Sequence, residues 1–189
     1  MVSGNIMRYS SPTSSKQTFM VRREWITSAK EINSMIVYLS GAMEFAEGEG
    51  ADWRREITLW LAENLEHTVI DPVIESDKLA MKHNALGFRK WKEENHELYI
   101  DFIQKAVDYD IDAVLNKADY LICLWNESVF KGAGTHGEVT LAYYAGKPIY
   151  LVNHVAQSDL SGWIEACKTE MFNNFDQLKT HLLSAYSNG

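Results

Sequence analysis

Glu138 is the residue with the clearest potential for chemistry, because it follows a glycine-rich turn at the start of a predicted helix. The turn runs Gly132, Ala133, Gly134, Thr135, His136, Gly137 and Glu138. The unpaired amides and the dipole of a helix's first turn favour a negative charge, so this carboxylate should be ionised near neutral pH. An ionised, fixed carboxylate can serve as a nucleophile or as an electrostatic partner toward a sugar C1′ that develops oxocarbenium character.

The same spacing also fits a purely structural role. Thr135 and Glu138 stand three residues apart, as in a capping box, where the glutamate bonds back to the N-cap backbone and stabilises the helix by about 1 kcal/mol. Three glycines in this short turn exceed what a cap requires and indicate backbone held close to a ligand or a phosphate. The spacing leaves both interpretations open.

The segments around the turn alternate between strand-like and helix-like patterns. Apolar runs predict strands at residues 34–39, 68–70, 120–125 and 148–152 with a weaker fifth within 162–172, and helical spacing predicts helices between them. This alternation predicts an α/β fold, a three-layer Rossmann-like (flavodoxin-like) domain with a mainly parallel sheet of four to five strands and helices on both faces. We expect residues 1–18 to be disordered and residues 19–189 to form a single domain with a helical insertion at about residues 76–108.

Two turns should meet at one edge of this sheet. Ligands of open parallel sheets bind outside the carboxyl ends of the strands, at the point where the strand order reverses. If the first and third strands are neighbours there, a cleft opens between the turns that follow them. The candidate binding residues are therefore Ser40, Gly41, Ala42 and Met43 after the first strand, and Asn126, Gly132, Gly134, Thr135 and His136 after the third.

Composition narrows the class of partner. The formal charge of −8 and the pI near 5.2 argue against a nucleic-acid polymer and favour a small molecule. No apolar run approaches the roughly 20 residues of a membrane span, and the N-terminus lacks the apolar core of a signal peptide. The two cysteines fit neither a disulfide framework nor a metal site, and the histidines show no metal-ligand spacing. We expect a cytoplasmic protein without a metal or other cofactor.

Three motifs together resemble the nucleoside 2-deoxyribosyltransferase-like family. They are Tyr38-Leu39-Ser40-Gly41-Ala42-Met43, the stretch from Asp110 to Asp119 leading into Tyr120, and Gly134-Thr135-x-x-Glu138 followed by Gly146-Lys147-Pro148. The resemblance implies cleavage of the N-glycosidic bond of a nucleoside or nucleotide, with Glu138 as nucleophile and Tyr38 orienting it. It also implies a proton donor to the departing base, for which Asp110 and Asp112 are both candidates, and a homodimer or larger homo-oligomer.

One position departs from the family pattern. An acidic residue commonly stands six positions before the glutamate, where this chain has Gly132. The glycine turn also partly resembles the cytokinin-activating phosphoribohydrolases, which cleave the same kind of bond, and Thr135 with its neighbouring amides could hold a 5′-phosphate. Transfer of the sugar to another base or to water is equally compatible with the sequence. The alternative is a nucleotide-binding or sensing module that uses the same pocket without catalysis.

Overall fold

A computed structural model describes residues 34–187 of the chain. The five strands are β1 (Ile36–Gly41), β2 (Thr68–Ile70), β3 (Tyr120–Trp125), β4 (Ile149–Asn153) and β5 (Glu170–Phe172). They form one sheet in the order β2-β1-β3-β4-β5, and every pair is parallel. The predicted fold class, a three-layer Rossmann-like domain with the flavodoxin-like strand order, is confirmed.

Seven α-helices connect or cover the strands within the described residues. They are α1 (Ala51–Leu65), α2 (Pro72–Lys82), α3 (Trp91–Glu94), α4 (His96–Asp112), α5 (Gly134–Tyr144), α6 (Gly162–Cys167) and α7 (Phe175–Tyr186). Short 3-10 turns occur at Glu47–Gly50, Phe88–Lys90, Glu127–Lys131 and Gln157–Asp159. The last turn before β3, Ala113–Lys117, is a π-helix. None of the helices between residues 34 and 187 has the length and apolarity that a bilayer crossing requires.

The two faces of the sheet carry separate apolar cores, because alternate strand residues point to opposite faces. On one face Val37, Leu39 and Ile122 pack under α1 and α7. On the other face Leu121, Cys123 and their neighbours pack with residues of α5 and α6. A third, smaller cluster joins Ala80 and Ala85 to Phe102 and so ties α2 to α4.

Strand β1 lies between β2 and β3, so the strand order reverses beside it. The register pairs Ser40 with Cys123 and Gly41 with Leu124. The ends of β1 and β3 are therefore level, and the turns that follow them begin side by side. Helix α5 packs across both strands and carries Glu138 over this point.

Several local expectations were wrong. Residues 162–164, assigned to the weak fifth strand, begin α6, and only Glu170–Phe172 forms β5. The residue type and position of Asp52 predict that it caps the first helix, but the N-cap residue of α1 is Gly50, in a left-handed conformation. The stretch from Asp110 to Asp119 predicts a separate short helix, but α4 continues to Asp112. The expectations for residues 1–18 and for the start of the domain at residue 19 lie outside the described residues.

Candidate active site

The Glu138 carboxylate is held by two hydroxyl groups of β1. The Tyr38 hydroxyl donates to Oε1 at 3.1 Å, and the Ser40 hydroxyl donates to Oε2 at 2.5 Å. Tyr38 and Ser40 are two residues apart on a strand, so their side chains emerge on the same face, beneath α5. Both are fully buried, whereas Glu138 is half-buried. The carboxylate is thus fixed from below and open from above.

Glu138 does not form a capping box. The N-cap residue of α5 is Ala133, and no side chain caps this helix end. Both carboxylate oxygens bond to hydroxyls of another element instead of to the backbone of their own helix. A Cβ built on Gly134 would lie 3.9 Å from Glu138 Oε1, so the absence of a side chain at Gly134 leaves space beside the carboxylate.

Asp110 is the second carboxyl group at this place. It lies near the end of α4 and lines the same pocket as Glu138. Burial, and then the negative charge of Glu138, raise the pKa of Asp110 to about 7, while a hydrogen-bonding interaction with the Tyr38 hydroxyl lowers it. Asp110 therefore holds a proton for part of the time at neutral pH, as a general acid must.

The pKa of Glu138 is raised overall, because burial of this carboxyl group outweighs the hydrogen bonds from Ser40 and Tyr38 and the charge of Arg54, which lower it. Of two carboxyl groups that interact in one pocket, the one that accepts more hydrogen bonds is the better anion. The donors of β1 therefore place the negative charge on Glu138 in preference to Asp110.

The two carboxyl groups face a cavity of about 240 Å³. One side is formed by the two turns at the sheet edge, including Gly41, Ala42, Met43, Gly132, Gly134 and Thr135. The other side is a helical wall contributed by α2, the Phe88–Lys90 turn and α4, with Leu79, Phe88, Tyr99, Ile103, Val107 and Tyr109. A pocket with apolar walls and a few convergent polar groups suits a small organic ligand.

Five of the sequence candidates do not line this cavity. Tyr38 and Ser40 lie beneath it and reach it only through Glu138, whereas the other three have no part in it. Asp112 points to the protein surface, where it pairs with Lys117 at 2.7 Å and bonds Asn116, and these contacts lower its pKa. Asn126 accepts a bond from the Ser128 amide and lines a neighbouring depression. His136 packs edge-on against Trp125 at 4.8 Å on the inner side of α5. Of the two aspartate candidates for proton donor, the structure brings only Asp110 to Glu138.

The comparisons with known proteins do not establish a function for this chain. No protein-family model matches the chain, and no curated protein matches it. Among solved structures, the chain is similar to BcmB, a CMP N-glycosidase of Clostridium botulinum, with 17% identity and a TM-score of 0.45 over 78% of this chain and 97% of that chain. A similarity at this level does not assign an activity to this chain.

Arg54 is a site residue that the sequence reasoning missed. It is fully buried and donates to the carbonyl oxygens of Leu39, Gly41, Ala42, Glu49 and Gly50, at distances from 2.8 to 3.5 Å. Asp71 pairs with it at 3.7 Å. The guanidinium therefore shapes the whole turn after β1. Its position three residues before Ile57, on the buried stripe of α1, was an available signal.

Gly41 lies close against the side chains of Trp53 and Arg54. A Cβ at Gly41 would meet the Trp53 ring at 3.0 Å and the Arg54 guanidinium at 3.3 Å. Such contacts are tighter than most real Cβ contacts, so a side chain at position 41 would require Trp53 or Arg54 to move by a few tenths of an ångström.

The Cys123 thiol, beside Ser40 on the neighbouring strand β3, does not take part in the chemistry. Burial raises its pKa to about 12, so it stays neutral and is no nucleophile. No group of three or more His, Cys, Asp or Glu side chains among residues 34–187 is arranged to hold a metal ion.

Proposed function

We propose that this protein cleaves the N-glycosidic bond of a nucleoside or nucleotide, with Glu138 as the nucleophile. The observation that carries the proposal is the pairing of two carboxyl groups in one pocket: Glu138 accepts hydrogen bonds from Tyr38 and Ser40, and Asp110 has a pKa of about 7. Two carboxyl groups with different proton affinities are what glycosidic cleavage requires.

The first step forms a bond between a Glu138 oxygen and C1′ while the C1′–N bond breaks. The bonding electrons leave with the base, which takes a proton from Asp110. In the second step another base or water attacks C1′, the Glu138 ester bond breaks, and Asp110 takes up the proton of the attacking group. The hydrogen bonds from Tyr38 and Ser40 weaken when the ester forms, because Glu138 then loses its charge. They strengthen again when the ester breaks and the carboxylate is restored.

The helical wall supplies the part of the site that a base could contact. Phe88 and Tyr99 are aromatic and Ile103 is apolar, and all three line the cavity. Aromatic and apolar surfaces bind the face of a nucleobase. Assembly into a homo-oligomer stays a prediction.

The test is release of free base, followed by chromatography, from a panel of ribonucleosides, deoxyribonucleosides and their monophosphates. The wild-type protein is expected to release base from at least one of them, and Glu138→Gln should lower that rate by about a thousandfold or more. Glu56→Gln is the matched control, because Glu56 is a surface residue of α1 whose side chain is 76% exposed. Equal rates for wild type and Glu138→Gln would contradict the mechanism.

The same assay separates the remaining readings. Adding a second free base should yield a new nucleoside if the sugar is transferred, and only free sugar if water is the acceptor. Binding of a panel member without any base release over a long incubation would instead favour the binding module, for which the lack of an acidic residue at Gly132 is the supporting observation.

A further inference from the structure

We infer that the pocket selects unphosphorylated nucleosides and disfavours their 5′-monophosphates. This inference rests on the proposed function and names its substrate class. The observation behind it is the lack of an available cation: Arg89 is the one cationic side chain among the described residues that lines the cavity, and it is paired with Glu49. Glu44 and Glu75 are matched by lysines, and Glu138 lines the cavity as the proposed anion. A phosphate dianion would therefore find no unpaired cationic side chain in the described lining.

Arg89 is already engaged. Its Nη2 lies 2.8 Å and its Nε 3.2 Å from Oε1 of Glu49, so two of its nitrogens face the same carboxylate oxygen. If a phosphate drew Arg89 away, the Glu49 carboxylate would remain unpaired nearby and would repel that phosphate. Exchange of one anionic partner for another therefore gains little.

The backbone holds Glu49 in this place. Gly48, Glu49 and Gly50 all have positive φ, of 53°, 56° and 69°. A glutamate adopts such a left-handed conformation only when its surroundings impose it. Here Arg54 imposes it, since its Nη1 donates to the Glu49 carbonyl at 2.9 Å and to the Gly50 carbonyl at 3.2 Å. Arg54, which shapes the turn after β1, therefore also holds the backbone of Glu49, the residue that pairs with Arg89.

Two lysines close to the wall are also paired: Lys92 bonds Glu44 at 3.0 Å, and Lys78 bonds Glu75 at 2.7 Å. Lys90 and Lys131 do not line the cavity. An anion-binding group that does line it is the first turn of α5, whose amides a phosphate could approach. Glu138 lies one turn further along α5 and brings its charge to the space beside Gly134. A phosphate there would lie next to the proposed nucleophile and would oppose its ionised form.

The experiment compares one cleaved nucleoside with its own 5′-monophosphate. We expect kcat/KM for the nucleoside to exceed that for the monophosphate by about tenfold or more at low salt. Because screening weakens repulsion, the ratio should shrink as salt rises from about 50 to about 500 mM. A monophosphate that is cleaved as well as the nucleoside, or better, would overturn the inference.

A variant assigns the effect to Glu49. Glu49→Gln keeps the size of the side chain but frees Arg89, so the ratio should fall about threefold or more through a lower KM for the monophosphate. Glu56→Gln, a surface glutamate bonded to Lys179, should keep the wild-type ratio. A ratio that does not change in Glu49→Gln would contradict the role given to the Glu49–Arg89 pair.

A binding arm distinguishes failure of the inference from failure of the proposed function. Dissociation constants of the nucleoside and the monophosphate are measured on the Asp110→Asn protein, which keeps the Glu138 charge and in which cleavage is slow because the departing base lacks its acid. If the wild-type protein releases base from neither compound, the proposed function is wrong. Weaker binding of the monophosphate than of the nucleoside would still support the selectivity. Equal or tighter binding of the monophosphate would overturn the selectivity alone.

Discussion

The floor and the wall of the pocket are held by different forces. The floor, formed by Tyr38, Ser40 and Glu138, is fixed by hydrogen bonds to residues that are fully buried in the sheet. The helical wall is attached to the turn after β1 by the Arg89–Glu49 and Lys92–Glu44 ion pairs, whose side chains are between 38% and 50% exposed. Exposed ion pairs contribute little and are weakened by salt. If the proposed function holds, we expect the chemistry to depend on the buried floor and the choice of ligand to depend on the wall.

The largest effect is expected from Arg54, the buried residue that holds the turn next to the floor. Arg54→Met removes the donors to five carbonyl oxygens and leaves Asp71 without its partner. We expect the free energy of unfolding to fall by about 3 kcal/mol or more, because buried polar groups lose their partners. Chemical denaturation measures this. Arg55→Met is the control, because Arg55 is exposed and bonds only Asp52; a similar loss in both variants would contradict the role of Arg54.

The next largest effect is expected from Asp110, the proposed proton donor to the departing base. Asp110→Asn should lower kcat/KM by about a hundredfold or more, because the departing base loses its acid. In the wild type, activity should fall as pH rises through about 7, where Asp110 loses its proton, and this limb should be absent from the variant's pH profile. Asp112→Asn should keep both the rate and the limb. If Asp112→Asn loses activity and Asp110→Asn does not, the two aspartates are assigned the wrong way round.

Asp110 should also affect stability with a definite sign. Because its pKa in the folded protein is about 7 against an ordinary value of 3.8, the folded state holds this proton more tightly than the unfolded chain does. The contribution to stability is complete at low pH and is lost as pH rises to about 7. Asp110→Asn should therefore be more stable than the wild type at about pH 8, as thermal unfolding would show; a less stable variant would contradict the raised pKa.

A smaller change is expected from one floor hydroxyl. Ser40→Ala removes a bond that lowers the pKa of Glu138, so that pKa should rise and the acid limb of the pH profile should move to higher pH. We expect kcat/KM to fall by about tenfold. Tyr120→Phe is a matched control, because this buried hydroxyl lies on the opposite face of the sheet and bonds His67. An acid limb at the wild-type position in Ser40→Ala would show that the bond does not tune Glu138.

The smallest effect should come from the wall. Lys92→Gln breaks the exposed pair with Glu44. We expect KM to change by less than about twofold, and the denaturation midpoint to stay where it is in the wild type, because exposed pairs contribute so little. A clear loss of stability would mean that the wall is held as firmly as the floor.

The sequence predicted the floor better than the wall. Apolar strand runs and glycine-rich turns predicted a flavodoxin-like sheet, and such a sheet brings the turns after β1 and β3 together if these strands are neighbours, as the structure shows that they are. Tyr38, Ser40 and Glu138 meet for that reason. Whether Glu138 caps its helix could not be decided, since the answer depends on hydroxyl groups about a hundred residues away in the chain.

The choice between Asp110 and Asp112 also required the structure. Two positions along a helix turn a side chain by about 200°, so one faces the pocket and the other faces solvent. Which one faces inward depends on where α4 ends. The helical pattern of residues 76–108 gave a charged, amphipathic stretch, but nothing in it showed that Phe88 and Tyr99 would line the same cavity.

The π-helical turn Ala113–Lys117 separates Asp110 from β3. A π turn holds about one residue more than an α turn, without lengthening the chain's path in proportion. Insertion or deletion of one residue can therefore be accommodated here by a change between a wider and a narrower helical turn, while Asp110 and β3 keep their positions. We therefore expect the interval between this aspartate and the strand to tolerate a change of one residue, so a sequence pattern with a fixed interval would miss any protein that builds the same pocket with one residue more or fewer.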